Sequence, residues 1–212
     1  MKKFLKIGCL GAIGLFVLVF VFIFFSTPDD NPSEKLDYSP QEVVQETTEK
    51  PIMTDSIWSS IIGNKFRVDK DDFKKSAFYY HKSSPKYVNQ NWIYPYLGKS
   101  ENNIWLRLKL QYEADDWLFI NKVQFLIDGE VIDYANGSFD RDNSGGRIWE
   151  WGDLKVDASG AAILHIIAES KVTKVRYTGN QYHNDRTITV REKKVMKETL
   201  ATYLAAKEYK FQ

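Results

Sequence analysis

The sequence predicts an α+β protein: a single N-terminal transmembrane helix, then an antiparallel β-sheet or small β-sandwich domain with a C-terminal amphipathic helix. Three observations point there. Residues 7–25 carry no charge. The middle of the chain alternates apolar and polar residues with the period of two that a half-buried strand requires. Residues 189–207 return their apolar side chains at helical spacing.

Composition sets the limits. The 212 residues include 29 basic and 28 acidic side chains, a net charge of +1, which gives no global argument for nucleic acid as a partner. A hydrophobic fraction of 43% with 15% aromatics excludes a wholly disordered or collagen-like chain. One Cys excludes an intramolecular disulfide framework and a Cys-rich zinc site. Charge is unevenly spread: net +3 over residues 1–25, −5 over 26–50 and +3 over 51–212. Those shifts place the expected boundaries: an anchor at 1–25, an acidic, proline-containing disordered tether at 26–51, and a globular extracytoplasmic domain at 52–212.

The anchor comes first. Lys2, Lys3 and Lys6 precede the run from Ile7 to Phe25, 19 residues that reach about 28 Å as a helix, close to the ~30 Å hydrocarbon core of a bilayer. The lysines before it and Asp29 and Asp30 after it orient the N-terminus to the cytoplasm and the rest outside. The expected location is a plasma (inner) membrane, crossed once. A cleaved signal peptide is the competing reading. It needs small residues after the apolar run, where Phe24 and Phe25 stand. Cys9 lies before most of the run, which is the wrong side for a lipoprotein Cys. Acids and Pro28, Pro32, Pro40 and Pro51 dominate the next segment, which reads as an extended, self-repelling tether.

The domain begins with a short helix over 55–63, with Asp55 as candidate N-cap and Gly63 as stop. Aromatic-rich strands follow at 77–81 and 92–97, where Pro95 suggests an edge strand or a bulge. Over 104–112, Ile104, Leu106, Leu108, Leu110 and Tyr112 share one face; Trp105, Arg107, Lys109 and Gln111 share the other. A hairpin turns at Asp128-Gly129 because both central positions of its tight turn need positive φ; its register pairs Phe125 with Ile132 and Val123 with Tyr134. Further elements are a strand at 148–156, a helix at 161–169 and a strand at 171–178. The last helix opens on the capping box Thr189-Val-Arg-Glu192. Its apolar stripe is Val195, Met196, Thr199, Leu200, Tyr203 and Leu204.

The segments Trp117-Leu118-Phe119-Ile120, Asp128-Gly129, Val175-Arg176-Tyr177-Thr178-Gly179 and Tyr182-His183-Asn184-Asp185-Arg186, with the charged helix after them, resemble uncharacterised extracytoplasmic domains of bacterial membrane-anchored proteins and lipoproteins. The resemblance covers about residues 100–208. It implies a bacterial envelope location and an antiparallel domain with a terminal helix, and it supplies no activity or catalytic residue.

Candidate chemistry is sparse. Asp140, Asp142 and Ser144 place oxygens at alternate positions before Gly145, as a calcium loop does, with Glu150 one residue short of the position where the bidentate acid belongs. An ordinary polar loop is the simpler reading. Trp149 and Trp151 share a strand face, where they stack on a sugar, anchor a partner or pack the sheet. His183 and Asp185 form a His–carboxylate pair with no nucleophile motif beside it; a turn stabilised by Asp185 and Arg186 is the plainer alternative. His165 reads as a buried core histidine. No cofactor is expected. The expectation is a non-enzymatic binding or interaction module of the bacterial cell envelope, with the lipid bilayer as one partner and an envelope protein or glycan as another. An envelope hydrolase using His183 and Asp185, or a calcium-dependent sugar-binding domain, is the alternative.

Overall fold

A computed structural model describes residues 49–212. The span expected between Ile7 and Phe25, and almost all of the tether, lie outside those residues. Among the described residues no helix is long and apolar enough to cross a membrane.

Among the described residues ten strands form two antiparallel sheets, the central ones with period-two patterning. The first is a half-barrel of six: β1 (Phe66–Asp71), β2 (Ser76–His81), β3 (Trp92–Ser100), β4 (Ile104–Ala114), β8 (Arg147–Val156) and β7 (Asp140–Ser144), in that spatial order. The second has the order β10 (His183–Thr187), β9 (Thr173–Thr178), β5 (Lys122–Ile127) and β6 (Glu130–Asn136). Three helices complete the domain: α1 (Asp55–Ile62), α2 (Ala158–Glu169) and α3 (Val190–Lys207). Antiparallel sheets with a C-terminal helix confirm the α+β class.

One apolar core joins these layers. Ile93, Leu97, Leu106, Leu108 and Leu110 from the large sheet meet Val123, Phe125 and Val175 from the small one, with Leu164 and Ile167 of α2 and Met196 and Leu200 of α3. The two ends of the domain are stapled together. Met53 donates to the Lys210 carbonyl, and the Lys210 amide donates to Pro51, both at 2.8 Å.

Several local expectations need correction. The N-cap of α1 is Thr54, whose hydroxyl accepts from the Ile57 amide at 3.2 Å, rather than Asp55. Pro95 is not on an edge strand, because β3 lies between β2 and β4. The β2 ladder stops at Leu97, however, so no strand pairs with that flank of β3 at Pro95. The hairpin turn has Asp128 at φ 47° and Gly129 at 104°, as its tightness demands. Phe125 pairs with Ile132, but a bulge between Val123 and Gln124 moves Val123 opposite Ala135 instead of Tyr134. In α3 the capping box forms as expected. Leu204 leaves the buried stripe, and its place is taken by Thr202 and Ala206. His165 is exposed on α2 and is not a core histidine. Residues 140–144 and 183–187 are edge strands rather than a loop and a turn.

Candidate functional site

Alternation along β4 gives the large sheet two faces. One is the core. The other carries Tyr80 of β2, Trp92, Tyr94 and Tyr96 of β3, Arg107, Lys109 and Gln111 of β4, and Trp149, Trp151 and Asp153 of β8. A solvent face would leave such residues exposed. Here Tyr94 and Tyr96 are each only 3% exposed, and Gln111 is sealed completely.

The cover is the connection between β2 and β3, residues 82–91. Arg67 of β1 fixes it. Its guanidinium donates to the carbonyls of His81 at 2.9 Å, Ser84 at 3.0 Å and Pro85 at 2.6 Å, and to the Ser84 hydroxyl at 3.2 Å. From the core side His81 pins the same loop. Its Nδ1 accepts from the Ser83 amide at 3.1 Å, so the proton of the neutral ring sits on Nε2, 2.9 Å from Glu198 of α3. Between loop and sheet lies a cleft of about 390 Å³, lined by Arg67, Asp69, Tyr80, Lys86, Tyr94 and Lys109, with Val68 and Val88. That volume falls within the roughly 300–1,000 Å³ typical of small-molecule sites.

Beneath the cleft is a network shared by three strands. The Tyr96 hydroxyl donates to Asp153 at 2.8 Å, Arg107 donates to the same carboxylate through Nε at 2.8 Å, and Lys109 does so through Nζ at 2.8 Å. Tyr80 is clamped on both faces, by Tyr96 stacked at 4.7 Å and by the Arg67 guanidinium 5.1 Å from its centroid. Burial pushes the Tyr96 phenol up, and the hydrogen bond and negative charge of Asp153 push it further. Tyr94 is raised mainly by burial, with the Arg67 charge opposing. Burial also works to raise Asp153, but the donors Lys109, Tyr96 and Arg107 outweigh it and hold the carboxyl below its ordinary value of 3.8. The Gln111 side chain donates weakly to the Tyr87 carbonyl at 3.4 Å, while its Oε1 is buried without a partner. Orphaned buried acceptors are uncommon.

A carboxyl depressed in the folded state stays ionised there to lower pH than in the unfolded chain. Its contribution to stability is complete above the unfolded value and lost as pH falls through the folded one. Asp153→Asn is therefore expected to be less stable than the parent at neutral pH and to flatten the acid loss of stability below the ordinary carboxyl value of 3.8. Urea unfolding at a series of pH values measures this; parallel acid limbs for the two proteins would deny the network its charge.

The residues singled out in the sequence fall elsewhere. Asp140, Asp142 and Ser144 alternate along the outward face of β7, and Glu150 faces the opposite way into the core. The Glu150 carboxylate is consumed by the amides of Leu118, Phe119 and Ile120, each at 2.8 Å. The structure does not bring this set together, and among the described residues no three His, Cys, Asp or Glu side chains converge on a metal position. Trp149 and Trp151 do share a face, half-buried, and it is the face that holds the cleft. His183 is exposed on β10. Asp185 forms a cross-strand pair with Arg176, at 2.7 Å to both Nε and Nη2. Arg186 turns away to a buried pair with Glu192 at 2.7 Å. A hollow of only about 110 Å³ lies beside Asp185 on the small sheet, between Leu126 and Val131, the size of a few waters.

Sequence reading missed Arg67, Lys86 and Asp153. The available signal was the polar face of β4, where Arg107, Lys109 and Gln111 follow one another opposite an aromatic strand. No family model, curated protein or solved structure matches this chain.

Proposed function

We propose that residues 52–212 form a non-enzymatic binding module, tethered outside the cytoplasm of a bacterial envelope by the helix of residues 7–25, and that the cleft under loop 82–91 is where it takes its ligand. One observation carries the reading: the sheet face turned away from the core is closed over by a loop that Arg67 fixes in place, and a 390 Å³ cleft is left between them. A rigid scaffold with a pinned loop above it is a pre-organised site, which lowers the entropy cost of binding. The histidines do not assemble for acid–base work: His81 faces α3, His165 is on α2 and His183 is on an edge strand.

Hydrogen exchange on the full-length chain in detergent, with and without fractionated envelope glycans, tests the proposal. Amides of residues 82–91 and of β1 are expected to slow with an active fraction, while the 126–131 hairpin stays unchanged. If every fraction leaves residues 82–91 untouched, this cleft is not a binding site.

A further inference from the structure

The charges around the cleft specify more than its shape does. Arg67, Lys86 and Lys109 line it and Arg107 stands beneath it, against two carboxylates, Asp69 and Asp153. Asp153 is divided between Arg107 and Lys109, so it offsets one of the two. Arg67 spends its donors on neutral carbonyls, which fix its position without cancelling its charge. Lys86 rests 5.6 Å from the Tyr87 ring centroid, on the exposed side of the loop. Among the described residues no carboxylate forms an ion pair with Arg67 or Lys86, whereas Lys109 and Arg107 both do. The cleft thus keeps a cationic surplus, held beside the buried Tyr94 and half-buried Tyr80 phenols, where reduced solvent access strengthens attraction to an anion.

We propose that the ligand is a sugar-sized anion, a saccharide bearing a carboxylate or a phosphate. Lys86 and Lys109 take the anionic group, and the phenols of Tyr80 and Tyr94 face the ligand's hydroxyls. Arg67 is a positioning residue that also supplies field: it holds the loop that carries Lys86. The inference rests on the cleft being the binding site, and the experiment separates the two.

Calorimetric titration of the full-length chain in detergent with glucuronate, glucose 6-phosphate and glucose provides the test. The carboxylate and phosphate arms identify which anion is preferred. At least one charged sugar is expected to bind roughly tenfold or more tightly than glucose, the scale of one charge-assisted hydrogen bond. Its affinity should fall with added salt. Lys86→Met is expected to lose roughly tenfold for that sugar and nothing for glucose. Lys86 is exposed on a loop, so this variant folds; Lys174→Met, an exposed lysine on β9 of the small sheet, serves as the unaffected control. Glucose binding as tightly as the charged sugars, with Lys86→Met indifferent, overturns the anionic ligand while leaving the cleft as a site. No heat from any of the three, together with unchanged amine reactivity of Lys86 by peptide mass spectrometry, overturns the anionic sugar; the cleft itself falls only if envelope fractions also leave the exchange of residues 82–91 unchanged.

Discussion

Glu192→Ala is expected to lower the unfolding free energy by about 3–5 kcal/mol, the range for breaking a buried ion pair from one side. Glu192 is 1% exposed and joins three parts of the fold. Its carboxylate accepts from the Ile93 amide at 2.8 Å, which ties α3 to β3. It accepts from Arg186 at 2.7 and 3.1 Å, which ties in β10. It also closes the capping box through the Thr189 amide at 2.8 Å and the Thr189 hydroxyl at 2.9 Å. Removing it strands the Arg186 charge, whose side chain is only 16% exposed, and leaves a buried amide on β3 unsatisfied. Thr189→Ala removes only the cap and is expected to cost about 1 kcal/mol. Urea denaturation of both variants measures the difference. A Glu192→Ala loss no larger than that of Thr189→Ala would show that the buried pair contributes nothing.

Glu150→Ala is the second large effect, expected at about 3 kcal/mol or more, since each buried donor left unmet costs roughly 1–3 kcal/mol. The three amides it satisfies belong to the segment between β4 and β5, whose conformation is not locally favoured. Phe119 has φ 57°, a left-handed backbone that a bulky side chain adopts only under constraint. The constraint comes from below through Glu150, and from above through Arg141, 5.1 Å from the Phe119 centroid. Gly179 completes it, because a Cβ there would stand 1.7 Å from the Leu118 carbonyl oxygen. Hydrogen exchange on Glu150→Ala is expected to show the amides of 118–120 opening first. If they stay as protected as in the parent, something other than this carboxylate holds the segment.

These two acids show where sequence reading stops. Glu192 was legible as the N3 residue of a capping box, since Ser/Thr-x-x-Glu is a local motif. Its bonds to Ile93 and Arg186 were not, because they span long stretches of chain or depend on β10 being a strand. Glu150 read as a near-miss metal ligand between two tryptophans. Its true partners lie about thirty residues upstream in a segment with no periodic signal. The polar edge strands β7 and β10 were invisible for a related reason. Residues 140–144 are exposed throughout and lack the alternation that marks a strand, which forms because β8 offers it a ladder.

The candidate site divides in the same way. Tyr94, Tyr96, Arg107 and Lys109 were placed on strands from their own residues, and the side of β4 that carries Arg107 and Lys109 followed from the period of two alone. Whether that side met solvent or a covering loop depended on Arg67 reaching from β1 to Ser84 and Pro85. So the chain's own order of residues determined the α+β class, the main strands, the Asp128-Gly129 turn and the start of the last helix, because each is a matter of neighbours within a few positions. Tertiary structure alone decided the cleft, the Asp153 network and the two buried acids, because a charge or an amide left out of water takes whichever partner the packing brings within about 3 Å, however far along the chain that partner lies.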